Sequence, residues 1–313
     1  MTLALVFPGQ GSQTVGMGRA LAEAFPIARQ TFEEVDEALK QALSRLIFEG
    51  PEADMILTEN AQPALMTVSL AVMRVLRQQG GLDLPRHVAF AAGHSLGEYS
   101  ALCATDALEI ADTARLLKRR GLAMQRAVPI GEGAMAALLG LDLDQAREIA
   151  AQAAAGEVCD AANDNAPGQV VVSGAKSAVE RAIKLAAERG AKRSILLPVS
   201  APFHCALMEP AAREMEEALS TVALAEPCIP IIANVTASAV EDPATIRSLL
   251  VRQVTGLVRW RESIVYMKEQ GVNTVVEIGA GRVLTGLTKR IDRDLTGSSV
   301  GTPAEIEAFL KTL

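Results

Sequence analysis

The chain has 313 residues, a length beyond the usual single core that predicts one large domain and a smaller one. Half of the residues are apolar but only 3% are aromatic, so the core must be built mainly from alanine, leucine and valine. A net charge of −7 and a pI near 5.2 argue against nucleic-acid binding as the main role.

Strands and helices alternate along the first part of the chain. The apolar run Leu3 to Phe7 predicts a buried strand, and Val88 to Ala92 predicts the next one. Between them a helix is predicted over Pro63 to Gln79, with Asn60 as its N-cap. A further helix is predicted to begin at Asp106 to Glu109, whose spacing is that of a capping box.

The middle of the chain has a different order of elements. Strands are predicted over 134–141, 158–162, 169–173 and 193–199, with a turn over 163–168 and helices over 142–155 and 176–189. This β-α-β-β-α-β order is the ferredoxin-like pattern. It predicts a small domain of residues 128–199, inserted into a large catalytic domain made of 1–127 and 200–313.

Two later strands, Pro230 to Val235 and Thr274 to Ile278, complete the large domain. Apolar strands that alternate with helices predict a mostly parallel sheet covered on both faces. The predicted fold class is therefore α/β, with a large α/β-hydrolase-like domain and an inserted small ferredoxin-like domain.

Ser95 stands between two glycines in the run Gly93-His94-Ser95-Leu96-Gly97, directly after a predicted strand. Flanking glycines let such a strand–turn–helix elbow fold tightly and leave the serine hydroxyl exposed. The backbone N–H of Leu96, at the start of a helix, would stabilise negative charge there. The motif predicts a nucleophilic serine for acyl transfer. The spacing alone arises by chance in roughly one chain in ten, and an ordinary glycine-rich turn is the alternative.

A nucleophilic serine needs a base, and the chain has three histidines. His87 precedes a strand and is predicted at the surface, while His94 adjoins Ser95 and is predicted to be a structural hydrogen-bonding residue. His204 remains, in a loop made rigid by flanking prolines, with a buried histidine satisfied by backbone as the alternative. No acidic residue between Ser95 and His204 is singled out, so a triad and a Ser–His dyad both stay open.

Seven blocks of the sequence resemble the acyltransferase family of fatty-acid and polyketide synthesis, and in particular its malonyl-transferring members. They occur in family order and together span residues 4 to about 292. The blocks are Phe7–Gln13, Gln62–Leu65, Gly93–Leu102, Arg120–Gly121, Pro167–Val171, Phe203–His204 and Val283–Leu287.

The resemblance implies roles for individual residues. Ser95 would be the nucleophile and His204 its base, oriented by the backbone carbonyl of Gln253. The backbone N–H groups of Gln10 and Leu96 would form the oxyanion hole. The family site is therefore a dyad.

The resemblance also implies a substrate-binding role for Arg120, which would clamp the free carboxylate of a malonyl group. A guanidinium presents a planar fork that matches a carboxylate. Without the resemblance, the sequence predicts that Arg120 is a solvated charge at a helix end, beside Arg119. Phe203, next to the base, implies use of malonyl rather than methylmalonyl groups, because its bulk lies beside the α-carbon. Ala280 replaces a proline that is usual in the family.

The implied reaction is ping-pong transfer of a malonyl group from malonyl-CoA, through a malonyl-serine, to the phosphopantetheine thiol of an acyl carrier protein. The implied partners are malonyl-CoA and acyl carrier protein, with no nucleic acid and no membrane, and the implied state is a monomer. No cofactor is expected, and the four cysteines and three histidines show no metal-site spacing.

A cytoplasmic location is expected, because the N-terminal apolar run has no preceding basic residues and no segment approaches 18 apolar residues. Three alternatives to this interpretation of the function remain. They are a serine esterase or thioesterase of the α/β-hydrolase type, a trans-acting polyketide acyltransferase, and a non-catalytic module that docks a carrier protein.

Overall fold

The computed structural model describes residues 2–312, so Met1 and Leu313, the outer ends of the predicted large domain, lie outside the described residues. Within this range the strands are Leu3–Phe7 (β1), Val88–Gly93 (β2), Gly133–Leu139 (β3), Cys159–Ala166 (β4), Gln169–Ala175 (β5), Arg193–Leu196 (β6), Ile231–Ala233 (β7), Ser238–Val240 (β8), Thr274–Ile278 (β9) and Thr296–Val300 (β10).

The helices within the same residues are Arg19–Ala24 (α1), Pro26–Leu39 (α2), Leu43–Glu49 (α3), Glu52–Met55 (α4), Thr58–Gln78 (α5), Leu84–His87 (α6), Gly97–Ala104 (α7), Ile110–Ala127 (α8), Leu143–Ala154 (α9), Lys176–Glu188 (α10), Glu209–Ser220 (α11), Pro243–Thr255 (α12), Trp260–Glu269 (α13), Val283–Ile291 (α14) and Pro303–Leu310 (α15).

The larger sheet has the strand order β10-β9-β1-β2-β7-β8. All neighbouring strands in it run parallel except β7 and β8, so the sheet is mixed, with one antiparallel strand at its edge. The central strand β1 is buried along its whole length, as a parallel strand covered on both faces should be. The predicted α/β class is confirmed, and β1, β2 and β9 occupy the predicted runs.

The second sheet has the order β4-β5-β3-β6, with every neighbouring pair antiparallel. Helices α9 and α10 share a separate apolar core with it, which includes Leu138, Ile149 and Val172. Backbone hydrogen bonds at Val258 connect β4 to the segment that enters α13. A turn was predicted over 163–168, but the observed turn is shorter because β4 continues to Ala166.

Two predicted helix starts are wrong, and each has a physical reason. Helix α5 begins at Thr58, so Asn60 lies inside the helix rather than at its N-cap. It continues through Pro63 because almost every residue around that proline is buried, and this packing outweighs the lost backbone hydrogen bond. Helix α8 begins at Ile110, because Asp106 has a φ of 64° and pairs with an arginine of α5 instead of capping.

The elbow around Ser95 depends on close backbone contacts that only glycine permits. A Cβ atom added to Gly93 would lie 1.8 Å from the carbonyl carbon of Gly97, and one added to Gly97 would lie 2.2 Å from the carbonyl oxygen of Phe7. Both glycines of the motif are therefore required by the packing of β1, β2 and α7 against one another.

Replacing Gly93 with alanine is expected to lower the free energy of unfolding by about 3 kcal/mol or more, the upper range for overpacking against backbone. Gly286 is the matched control, because it lies within α14 and a Cβ there would meet nothing within 4 Å. Gly286→Ala should stabilise the protein by about 0.5–1 kcal/mol through helix propensity. Urea unfolding of both variants measures the difference, and equal effects would contradict this account of the motif.

Candidate active site

Ser95 lies at the carboxyl end of β2, in the sharp turn that leads into α7. Its φ of 53° falls in the left-handed region that few non-glycine residues adopt. The turn is held by Asn234, whose Oδ1 accepts a hydrogen bond from the Ser95 N–H at 2.8 Å and whose Nδ2 donates to the Gly93 carbonyl at 2.7 Å. A strained backbone conformation of this kind persists only where the surrounding residues hold it in place.

Most backbone N–H groups of the elbow are already hydrogen-bonded. Those of His94, Gly97 and Glu98 donate to carbonyls of Phe7, His94 and Ser95, respectively. Within residues 2–312 the N–H of Leu96 donates to no protein acceptor, and neither does that of Gln10. These two amides are therefore free to bind an oxyanion.

The Gln10 loop lies directly against the elbow. A Cβ on Gly9 would come within 2.6 Å of the His94 carbonyl oxygen, so the two backbones touch at this point. The Gln10 side chain is anchored through its Oε1, which accepts a hydrogen bond from Thr58 at 2.9 Å. Thr58 Oγ1 in turn accepts from Gln62 Nε2 at 2.9 Å, which links this loop to the start of α5.

His204 connects the serine to α12. Its Nε2 lies 2.7 Å from Ser95 Oγ, and its Nδ1 lies 2.8 Å from the backbone carbonyl of Gln253. A carbonyl can only accept, so Nδ1 carries the proton and Nε2 is the acceptor for the serine hydroxyl. Burial, and then the charge of Arg120, lower the pKa of His204 to about 3. The imidazole is therefore neutral and ready to accept a proton at neutral pH.

Arg120 is buried beside the serine, with only 1% of its surface exposed. Its NH1 donates to Gln62 Oε1 at 2.8 Å, and its NH2 donates to Gln253 Oε1 at 2.9 Å and to Ser95 Oγ at 3.2 Å. Gly121 permits this position, because a Cβ there would come within 2.4 Å of Glu59 Cα and push α8 away from α5. Burial lowers the pKa of Arg120.

The neighbouring Arg119 is the solvated cation of the pair. It pairs at the surface with Glu214 and Glu217 of α11, at 3.2 and 2.8 Å. Two adjacent arginines on α8 thus point to different environments, and only Arg120 faces the serine. The alternative that Arg120 is a solvated helix-end charge is wrong for this structure.

Three supporting residues were given no role by sequence reasoning: Gln62, Glu98 and Asn234. Gln62 lies in a block that resembles the family, and Glu98 lies three residues after Ser95, but neither pattern indicates a hydrogen bond within the site. Asn234 could have been found, because it is a polar residue near the end of a predicted apolar strand. In parallel sheets, side chains at the carboxyl ends of strands meet at one edge.

The remaining residues named from the sequence lie around this centre. Phe203 is buried in the main core next to His204. His94 Nε2 lies 2.8 Å from Asn165 Oδ1 and its ring packs near Trp260, so this histidine has structural partners of its own. Ala280 is buried in the loop between β9 and α14.

The Gln253 side chain has more contacts than the resemblance implied. Besides accepting from Arg120, its Nε2 donates to the Ser95 carbonyl at 2.9 Å and to Glu98 Oε2 at 2.8 Å. The resemblance implied a role only for its backbone carbonyl, so the side chain was expected to matter little.

Gln253→Ala is expected to lower kcat/KM for malonyl-CoA about tenfold, the scale of one charge-assisted hydrogen bond to Arg120. The rate with acetyl-CoA should change much less, because the backbone carbonyl still orients His204. Stopped-flow release of CoA from each thioester measures both values. An equal fall for the two substrates would mean that the side chain positions His204 instead of Arg120.

Residues 2–312 contain no cluster of three or more histidine, cysteine or acidic side chains suited to a metal ion. Within the same range, none of the helices has the length and apolar character needed to cross a membrane.

The fold and site together define an α/β protein with a Ser–His dyad, two free amides and a buried arginine facing the serine. The family model described as "Acyl transferase domain" matches residues 4–300, and the chain belongs to this family. It is 45% identical to the malonyl CoA-acyl carrier protein transacylase of Bacillus subtilis (strain 168), over 99% of this chain and 97% of that protein.

Solved structures show the same similarity. The acyl-carrier-protein-S-malonyltransferase of Bartonella henselae is 56% identical, with a TM-score of 0.97 over 100% of this chain and 99% of that one. A malonyl-transacylase solved in complex with its type II PKS acyl-carrier protein is 42% identical, with a TM-score of 0.97 over 100% of both chains.

Proposed function

We propose that this protein transfers the malonyl group of malonyl-CoA to the phosphopantetheine thiol of an acyl carrier protein, in fatty-acid biosynthesis. The observation that carries the proposal is the buried Arg120 guanidinium, 3.2 Å from the nucleophile of a Ser–His dyad. A buried cation at this place selects an acyl group that carries its own carboxylate. The named relatives support the same substrate.

In the first half-reaction Ser95 Oγ attacks the thioester carbonyl while His204 Nε2 takes the hydroxyl proton. The carbonyl oxygen becomes an oxyanion, which accepts hydrogen bonds from the free amides of Gln10 and Leu96. The carbon–sulfur bond then breaks, and CoA leaves as a thiol with the proton from His204. The product is a malonyl ester on Ser95.

The second half-reaction runs the same steps in reverse order with a new thiol. His204, neutral again, takes the proton of the phosphopantetheine thiol, and the sulfur attacks the malonyl ester. The bond to Ser95 Oγ breaks and the serine recovers its proton from His204. Because Nδ1 keeps its hydrogen bond to the Gln253 carbonyl, the imidazole keeps one orientation through both half-reactions.

Two residues are proposed to set the choice of acyl group. Arg120 binds the malonyl carboxylate in a bidentate manner and holds the thioester over Ser95. Phe203 stands beside His204 and limits the room for a methyl branch at the α-carbon, a discrimination that one apolar contact makes modest.

The domain division and the surroundings of the enzyme are also proposals. Residues 128–199 form a ferredoxin-like small domain within an α/β-hydrolase-like large one, supported by the β-α-β-β-α-β order and the antiparallel sheet order β4-β5-β3-β6. The enzyme acts as a monomer in the cytoplasm. The four cysteines support this location, since all are free thiols.

A trans-acting polyketide acyltransferase is the second candidate, favoured by the similarity to the malonyl-transacylase that was solved with a type II PKS carrier protein. It would use the same residues and chemistry and differ only in the carrier. An esterase or thioesterase is less well supported, because a backbone carbonyl, not a carboxylate, orients His204.

The fate of the acyl-enzyme tests the proposal. The protein is mixed with radiolabelled malonyl-CoA, and intact mass detects the malonyl adduct, with Ser95→Ala as the control that should carry none. Addition of holo acyl carrier protein should move the label to the carrier within seconds, while water alone should leave it on the enzyme much longer. Rapid loss of the label to water would identify a hydrolase, and an adduct on Ser95→Ala would overturn the assignment of the nucleophile.

A further inference from the structure

Glu98 is a buried acid under the active site that the transfer steps above do not use. Glu98 lies in the first turn of α7, and only 2% of its surface is exposed. Its Oε2 accepts hydrogen bonds from Gln253 Nε2 at 2.8 Å and from the Asn234 N–H at 3.1 Å. Gln253 holds His204 and Asn234 holds Ser95, so Glu98 supports both halves of the dyad without touching either.

Glu98 also faces the charge of Arg120, through the amide of Gln253. That amide donates to Glu98 on one side and accepts from Arg120 on the other, at 2.8 and 2.9 Å. A buried guanidinium is costly unless an anion compensates it. Two titratable groups face Glu98 within residues 2–312, namely the Arg120 guanidinium and the Tyr99 hydroxyl. The groups of α12 and of the residue after β7 that contact Glu98 are the uncharged amides of Gln253 and Asn234.

A malonyl carboxylate brings a second anion to this single cation. Two carboxylates that share one site cannot both remain ionised at low cost, so one of them binds a proton. The substrate carboxylate receives the guanidinium fork directly, whereas Glu98 acts on Arg120 only through an amide. The internal carboxylate is therefore the one that gives up its charge.

We propose that Glu98 is the counter-ion of Arg120 in the free enzyme and that it takes up one proton when the malonyl carboxylate binds to Arg120. This rests on the proposed function. The proton comes from solvent and forms an O–H bond on Glu98, and no other bond changes. Both hydrogen bonds to Glu98 end on Oε2, so Oε1 is the atom that receives the proton.

Two further facts fit this role. Burial raises the pKa of Glu98 to about 7, so above that pH the free enzyme holds the ionised carboxylate, which can take up a proton when a second anion binds. The Gln253 amide can keep its bond to Oε2 in either protonation state, so Gln253 and His204 need not move. Glu98 is thus a positioning residue whose charge follows the occupancy of the site.

The proposal predicts a pH dependence that is specific to the malonyl group. Below pH 7 Glu98 already carries its proton, and malonyl-CoA should bind with a constant Kd. Above pH 7 each binding event must take up a proton, so Kd should rise by up to about tenfold per pH unit. Acetyl-CoA shares the CoA moiety but lacks the carboxylate, so its Kd should not change in this way.

The experiment uses Ser95→Ala, which can bind the thioesters but cannot react. Calorimetric titration with malonyl-CoA at pH 8, in two buffers with different ionisation enthalpies, gives the number of protons taken up. We expect roughly half to one proton for malonyl-CoA and none for acetyl-CoA. The double variant Ser95→Ala/Glu98→Gln keeps the shape of the side chain and should take up none, with a malonyl-CoA Kd that is independent of pH.

The outcomes separate this inference from the proposed function. Tight, malonyl-selective binding without proton uptake would overturn the inference and leave the function standing. Equal binding of malonyl-CoA and acetyl-CoA would overturn both the inference and the proposed function, since Arg120 would then not bind the malonyl carboxylate. Proton uptake that persists in the double variant would place the proton elsewhere. If the double variant does not fold, the comparison of the two thioesters on Ser95→Ala still decides the matter.

Discussion

Arg120→Ala is expected to lower kcat/KM for malonyl-CoA by about two to four orders of magnitude. The figure corresponds to about 3–5 kcal/mol, the scale for breaking a buried charge pair. The same change should raise kcat/KM for acetyl-CoA, because an uncharged acyl group then no longer has to bind against guanidinium N–H donors that it cannot satisfy. The substrate preference should therefore invert. Steady-state rates with both thioesters measure it.

Two variants control for unfolding and for charge. Arg119→Ala removes the adjacent arginine, which pairs at the surface with α11, and should leave both rates nearly unchanged. Arg120→Lys keeps the charge but cannot supply the planar fork that reaches Gln62, Gln253 and a carboxylate together, so it should not restore malonyl transfer. If malonyl and acetyl transfer fell by the same factor in Arg120→Ala, the arginine would be structural.

His204→Ala is expected to slow formation of the acyl-enzyme by about two to four orders of magnitude, the usual contribution of a general acid–base residue. His87→Ala is the matched control and should have no effect, because that histidine precedes β2 at the end opposite Ser95 and its Nδ1 lies 2.9 Å from the Asp83 carbonyl oxygen. Rapid-quench measurement of malonyl-enzyme formation gives both rates. A loss of less than tenfold in His204→Ala would mean that another group accepts the serine proton.

The pH profile of the wild type adds a second test of His204. Because burial lowers its pKa to about 3, the imidazole stays neutral as the pH falls through 6.5, and acyl-enzyme formation should keep its rate to well below pH 5. The unfolded chain binds this proton first, so the same shift makes the folded protein less stable as the pH falls from 6.5. A fall in rate centred near pH 6.5 would show that His204 titrates as an exposed histidine does.

Local patterns were sufficient to predict the parts of the site that depend on local geometry. The elbow at Ser95 follows from an apolar run and two glycines, and β1, β2 and β9 follow from apolar runs of strand length. His204 followed from counting histidines and from its prolines. These features depend on residues that are close together in the sequence, so they can be recognised from one sequence alone.

The rest depends on contacts between distant elements, which a single sequence does not display. Nothing local distinguishes Arg120 from Arg119, and the difference comes from the approach of α8 to α5 at Gly121. Only the resemblance pointed to Gln253, which lies 158 residues from Ser95. The start of α5 was missed for the same reason, since burial of the whole helix overrides the usual meaning of Pro63.

The backbone at Ser95 also restricts which side chains can replace this proposed nucleophile. At a φ of 53° a β-branched side chain is strongly disfavoured, so threonine, although it carries a hydroxyl, cannot occupy the elbow without forcing the turn open. Cysteine has the same unbranched Cβ as serine and fits. The turn therefore admits a primary alcohol or a thiol and rejects a secondary alcohol, so a redesign that keeps a hydroxyl or thiol on Cβ at this position is restricted to serine and cysteine.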